Sequence, residues 1–369
     1  MSARWGVALL AALSLAGSAQ AQRTGAGGAG PGVAEAEQVV STLAERYGVS
    51  GDEGAVRDAV RALLPAWARP ATDSAGNLWV TVGRGRPRVV FLAHLDEIGF
   101  AVTAIRDDGT LELRQRGGFF PSLFEGQPAL VHTRHGAVPA VFLPRDSAGA
   151  TPRRTPPALR ADPGTGSRAA TEALGIAVGD QLTMPKHYAR LLGTRATARS
   201  FDDRVGSAAL VLALRHLDPA RVRGAVAFVW TVREETGLEG AAVVADSLRD
   251  GPVVVLAIDT FVSSDSPLEL PTFGGARVGS GPVARAVDNS SVTPPALVDS
   301  LTALARRQGI PFQTGATNGG NDGSTFAAYG VPDAAMGWPL RYSHSPAEVI
   351  DLKDLAGLAR MVEAVANSW

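Results

Sequence analysis

The sequence predicts an α/β protein: a mixed, largely parallel sheet flanked by helices, interrupted by a small β-rich insert. Three observations predict it. Residues 88–93, 225–232 and 253–258 are apolar with hardly a polar break, as strands buried on both faces are. Each run is followed at once by chemistry-bearing residues: His94 after the first, Glu234 and Glu235 after the second, Asp259 after the third. Between residues 106 and 194 the texture changes to short alternating segments punctuated by Gly and Pro, the signature of small antiparallel strands.

The chain has 369 residues, 45% of them hydrophobic, enough for one large or two ordinary domains with a sizeable core. Its formal net charge of -1 removes the electrostatic case for a nucleic-acid partner. Cysteine is absent, which excludes disulfides and thiolate metal ligands. At the start, Arg4 precedes an apolar run over residues 7–16 and the small-x-small triplet Ala19, Gln20, Ala21. That pattern predicts a signal peptide over residues 1–21 and an exported protein, periplasmic or secreted, with no further membrane-spanning segment.

The elements follow in order. Ala36, Val39, Val40, Leu43 and Tyr47 mark an amphipathic helix over residues 34–47, and Val56, Val60 and Leu63 mark another over 53–64. Strands are expected at 78–82 and 88–93, the second running into His94, Asp96 and Glu97. The insert, expected over 106–194, shows alternation at 110–113 and 137–143, a Pro/Arg-rich connector at 151–158 and helical spacing at 167–174. It divides a catalytic α/β domain into residues 22–105 and 195–369.

After the insert, Asp202 or Asp203 can cap a helix over 205–217. The strand at 225–232, a helix at 241–248, the strand at 253–258 and a helix at 295–307 come next. A loop through Gly319, Gly320, Asn321 and Asp322 leads to a short helix at 325–329. A last strand at 334–338, a turn through His344 and a closing helix at 352–367 complete the domain.

Parallel neighbours would bring His94, Asp202, Glu234, Glu235, Asp259 and His344 to one sheet edge. Two histidines and several carboxylates without a thiol suit Zn, Co or Mn. More carboxylates are present than one tetrahedral ion needs, so a pair of ions about 3.5–4 Å apart is expected. Each residue alone also has an ordinary reading as a helix cap or a solvated strand end; the repeated coincidence at one edge favours the site. A phosphate loop and a serine nucleophile are disfavoured, because neither GxxxxGK[ST] nor GxSxG occurs.

Taken together, the runs around His94–Phe100, Asp202–Gly206, Glu234–Ala241, Asp259 and Arg341–Glu348 resemble the M42 metallo-aminopeptidases, in order and spacing, from about Ala34 to the end. The resemblance implies a zinc-peptidase-like catalytic domain, a PDZ-like β insert used for homo-oligomerisation, and two divalent ions, zinc foremost. It implies His94 and Asp259 on one ion, Glu235 and His344 on the other, and Asp202 across both. Glu234 would be the general base for a bridging water and Asp96 the carboxylate that orients His94. Peptides with a free N-terminus would be the substrates, with Asn321 and Asp322 as candidate contacts to them. Asn321 stands where the family usually has Thr, and Gly323 where Ala is common. An M28-like peptidase or a deacylase of the same clan is the alternative reading. A homologue that binds without catalysis is the third.

Overall fold

The computed structural model describes residues 30–145, 158–267 and 275–368. The expected signal peptide and residues 151–157 of the connector lie outside them. Among the described residues no helix is long and apolar enough to cross a membrane.

Four parallel strands form the centre of an eight-stranded mixed sheet, in the order Ala225–Thr231, Pro87–His94, Val254–Val262, Met336–Leu340. Antiparallel Leu78–Val82 flanks one side, and antiparallel Val283–Val287 flanks the other. Alternate residues of the central strands serve different layers. Phe91, Phe228 and Leu256 join the larger core, whereas Val90, Leu92, Ala227 and Val229 join a second cluster behind the sheet. Burial on both faces is why these runs contain no polar alternation. Phe91 and Phe228 stack across neighbouring strands with ring centroids 5.1 Å apart.

The larger core is roofed by the helices Val33–Ala44, Phe201–His216 and Leu352–Ser368. Phe201–His216 is buried without a break from Phe201 to Leu214, so it has no solvent face and only a weak amphipathic pattern. It lies between the sheet and the two outer helices. Its first turn departs from the expected cap: Ser200 is the N-cap, and Asp202 and Asp203 have non-helical backbone angles. Asp203 still performs a capping function, accepting a 2.9 Å hydrogen bond from the Gly206 N–H. Glu239–Leu248 covers the opposite face with the 3₁₀ segment Asp322–Tyr329.

The insert closes into a six-stranded antiparallel barrel around Phe100, Phe124 and Phe142. Its first strand is Gly99–Ile105, so the boundary expected at residue 106 falls one strand late. The apolar run through Phe100 and Val102 resembles the parallel strands before it, and only pairing with Leu111–Arg116 distinguishes it.

Register sets the site. Thr231 pairs with His94, and Ala257 with Leu92, so Asp259 stands level with His94 on the adjacent strand. Asp259 does not end its strand as expected; the strand continues to Val262 because Met336–Leu340 keeps pairing with it after Pro87–His94 has stopped. Opposite Asp259 stands Gly337, where an added Cβ would lie 1.8 Å from the Asp259 carbonyl oxygen. Gly337→Ala must force these central strands apart. We expect a loss of about 3 kcal/mol or more in chemical denaturation; wild-type stability in that variant would contradict this pairing.

Candidate active site

His94 is delivered by the end of its strand, 3% exposed, with its backbone N–H donating to Asp203 Oδ2 at 2.8 Å. Its ring Nε2 lies 3.1 Å from Asp202 Oδ1. The other oxygen of Asp202, Oδ2, lies 3.2 Å from His344 Nε2, which is also 3.2 Å from Glu235 Oε1. One carboxylate therefore spans two imidazoles. His94, Asp202 and Glu235 each offer a ligand atom within 4.8 Å of the others.

Asp96 orders the opposite wall. It accepts the Glu234 and Glu235 N–H groups at 3.0 and 3.1 Å, one on each oxygen, and the Ser50 hydroxyl at 2.5 Å. It also lies 3.4 Å from His94 Nδ1, although that nitrogen sits nearer the Asp96 carbonyl at 3.2 Å. One buried carboxylate thus fixes a histidine ring and the turn carrying both glutamates. The Glu234 carboxylate comes within 4.0 Å of His94 Nε2.

Asp259 lines the same cavity but stands outside the compact group of three. Its Oδ1 accepts the Thr260 N–H at 2.5 Å, and its Oδ2 lies 3.2 Å from Arg285 Nη1. His344, in a left-handed backbone conformation at φ 58°, is held by Nδ1 contact with the Gly118 carbonyl at 2.6 Å. Its N–H donates to Glu348 Oε1 at 2.9 Å, while Glu348 Oε2 accepts the Asp202 N–H at 3.2 Å. Glu348 thereby locks two candidate ligands, and pairing of its strand opposite Ala198 places it there.

Of the loop expected to contact substrate, Gly319 and Gly320 line the cavity, while Asn321 and Asp322 do not. Asn321 is fully buried, donating to Asp288 at 2.8 Å and capping the Gly323 N–H, and Asp322 bonds the Thr231 hydroxyl. Asp322 thereby ties the loop to the strand residue paired with His94. Gly323 is demanded there, because a Cβ would meet the Asp333 carboxylate at 2.4 Å.

Electrostatics tests whether this donor set fits cations. Burial, reinforced by Asp259 and Glu235 against the opposing His94, pushes the Glu234 carboxyl well above the usual range. Burial also raises Glu235 and Asp259, with Asp202 adding repulsion to each. Burial opposes charge on His94 and His344, yet the surrounding carboxylates outweigh it and raise both. Glu348 is pushed up to about 8 by burial and by Asp202. Carboxylates crowded this closely need positive charge among them. Glu235 Oε1 is buried, with His344 Nε2 3.2 Å away and no hydrogen bond satisfying it. An unmet acceptor beside imidazole nitrogens, with no thiol present, fits a divalent ion.

A profile of the M42 glutamyl aminopeptidase family matches residues 76–361. The chain belongs to the M42 family. It is a metallo-aminopeptidase of that family. It is 30% identical over 346 residues to the glutamyl aminopeptidase of Lactococcus lactis, covering 89% of this chain and 95% of that protein. It is 28% identical over 343 residues to the lysyl aminopeptidase of Pyrococcus furiosus, covering 89% and 96%. Among solved structures, the TET1 peptidase of Pyrococcus horikoshii, which can assemble into a tetrahedron or a large octahedral shell, superposes with a TM-score of 0.83. That match is at 32% identity and covers 90% of this chain and 100% of that one.

Sequence reading left Arg285, Glu348 and Glu97 without roles. Glu97 follows Asp96 and has no exposed side-chain surface. Arg199 and Arg204 approach it at 2.7 and 2.8 Å from either side of the Asp202–Asp203 turn, and Lys186 closes the cluster from beyond the last barrel strand. Burial opposes ionisation of Glu97, but these three cations hold its pKa far below the usual carboxylate range. Glu97→Gln should cost about 3–5 kcal/mol at neutral pH, because buried cations lose their counter-charge. A lowered folded pKa gives stability that is present above the unfolded carboxyl value of about 4 and lost as pH falls below it. The gap between wild type and variant should therefore hold from pH 8 to 5 and shrink at lower pH. Denaturation curves with no gap at pH 7 would refute the cluster's contribution.

Proposed function

We propose that this chain is a dimetal aminopeptidase that removes the N-terminal residue from peptides, with Glu234 as its general base. The observation that carries the reading is the division of the two Asp202 oxygens between His94 and His344. In this reading His94 and Asp259 would hold one divalent ion and Glu235 and His344 the other, with Asp202 shared between them, and zinc would match the nitrogen and oxygen donors. Such ions supply a Lewis acid for the scissile carbonyl and acidify water.

The chain's own groups do the rest. Glu234 borders the cavity and is 12% exposed, so a proton can pass between it and a bound substrate. Its raised pKa suits a group that takes a proton from attacking water near neutral pH. As water oxygen bonds to the carbonyl carbon and the C–N bond breaks, Glu234 passes that proton to the departing nitrogen. Asp96 keeps the Glu234 backbone fixed through this exchange. Arg285 and Thr260 hold the Asp259 carboxylate, and Glu348 holds the Asp202 and His344 backbones.

Two further expectations belong to the same proposal. The relative from Pyrococcus horikoshii supports homo-oligomerisation, with the insert, read as PDZ-like in role, as the contact module. Arg4, the apolar run and Ala19-Gln20-Ala21 support export; cell fractionation with N-terminal sequencing should find a mature chain starting at Gln22, and a cytoplasmic chain beginning at Met1 would refute it.

The mechanism is tested with aminoacyl p-nitroanilides on metal-loaded protein. Chelation should abolish cleavage, and Glu234→Gln should lower kcat by about 10²–10⁴-fold while metal content stays at the wild-type level. Full activity in Glu234→Gln would remove the assignment of the base; activity indifferent to chelators would remove the metal reading.

A further inference from the structure

The candidate ligands sit in the wall of a cavity of about 810 Å³, and its remaining lining bears on which residue it accepts. Among the described residues, the charged side chains lining it are the candidate ligands, Glu234 and Arg285. Arg285 looks at first like a receptor for an acidic substrate. It is not available as one. A guanidinium has five N–H donors. Nη1 faces the Thr260 carbonyl at 3.0 Å and Asp259 Oδ2 at 3.2 Å, and Nη2 faces the Gly320 carbonyl at 2.9 Å and Asp288 Oδ2 at 3.1 Å. The fifth donor, on Nε, is sealed from solvent without a partner. With two carboxylates against it, the side chain is also neutralised.

An acidic substrate side chain therefore meets no free cation among the described residues. Among the described residues lining the cavity, a basic one meets no carboxylate except those of the catalytic cluster. The lining offers apolar surface instead, from Phe119, Leu123, Leu238 and Val262, with Phe120 77% exposed at the barrel side. Phe119 is not free to move aside: its ring packs on Phe100 at 5.1 Å and Phe124 at 5.0 Å. The 117–123 segment bearing these aromatics lies directly over the cluster, since His344 contacts the Gly118 carbonyl.

We propose that this cavity selects N-terminal residues with uncharged, apolar side chains and rejects acidic and basic ones. The proposal rests on the aminopeptidase reading above and adds the substrate class. The physical basis is the cost of desolvating a charge without a partner against the gain from covering apolar wall.

Two measurements on metal-loaded protein test it. In the first, kcat/KM is compared across Leu, Met, Phe, Glu, Asp, Lys and Arg p-nitroanilides. The apolar set should exceed the charged set on the order of 100-fold; a Glu or Lys anilide cleaved as well as the Leu anilide overturns the proposal. In the second, calorimetry measures free leucine, glutamate and lysine binding to Glu234→Gln, which needs no turnover. Tighter binding of leucine supports the proposal, while equal or tighter binding of glutamate or lysine, or no binding of leucine, overturns it. If leucine binds preferentially but no anilide is cleaved by wild-type protein, the selectivity stands and the aminopeptidase reading fails.

Discussion

Three cations converge on Glu97, and the geometry of the site depends on that buried cluster. Arg199 and Arg204 bracket Asp202 and Asp203 in the chain, and Glu97 adjoins Asp96, so one set of ion pairs ties the two turns that carry the cluster's central carboxylates. Arg204 Nη1 also donates to the carbonyls of Leu95 and Asp96 at 2.6 and 3.3 Å, fixing the chain just beyond His94. One carboxylate cannot balance three cations, and the excess falls on the weakest of them: burial and the two arginines push the Lys186 pKa well down despite the attraction of Glu97. A buried network of this kind contributes little net stability relative to apolar packing. What it provides here is position, because neither turn can shift without unpairing a buried charge.

Asp96 and Glu97 divide the work between adjacent side chains. Glu97 reaches the cations that hold the scaffold, and Asp96 reaches the backbone of the two glutamates. A strand end alone would not separate Glu234 from Glu235. Arg233 adopts φ 55°, turning the chain out of the strand, and Asp96 then grips the next two N–H groups. Alternation along an extended chain would by itself point the two side chains to opposite sides. The structure separates them by a different device, a turn clamped by a carboxylate.

The parallel centre of the sheet was legible because burial on both faces writes a continuous apolar run, and His94, Glu234 and Glu235 were legible because they interrupt it. Other features depend on pairing that periodicity does not report. The barrel begins at Gly99 rather than 106 because the partner of Gly99–Ile105 is Leu111–Arg116, and the strand through Asp259 runs on because of Met336–Leu340. Arg285 was hidden for the same reason: in Val283–Val287 it is one arginine in a chain rich in them, and only antiparallel pairing with Met336–Leu340 carries it to Asp259. Glu348 could have been noticed, since it lies four residues from His344, but its hold on the Asp202 N–H requires the register of Glu348–Asp351 against Arg195–Ala198. Polar residues in a glycine-rich loop suggest substrate contact, whereas Asn321 is bonded to Asp288 and the Gly323 N–H, and Asp322 bonds the Thr231 hydroxyl through one oxygen.

The carboxylates of the cluster differ in what already holds them, and the differences support the proposed division into ligands and base. Asp259 is committed to Arg285 and the Thr260 N–H, so its orientation is fixed whatever binds. Asp202 is drawn by two imidazoles, which overcome its burial and keep it ionised. Glu235 keeps one oxygen close to His344 and unbonded, the state of an acceptor prepared for a cation. Glu234 touches none of these closely; His94 at 4.0 Å is its nearest charged neighbour of opposite sign. Burial, with repulsion from Asp259 and Glu235 set against attraction to His94, pushes its carboxyl well above the usual range. That gradation supports the proposal that proton transfer falls to Glu234, whose neighbours Asp202 and Asp259 are already held by other groups.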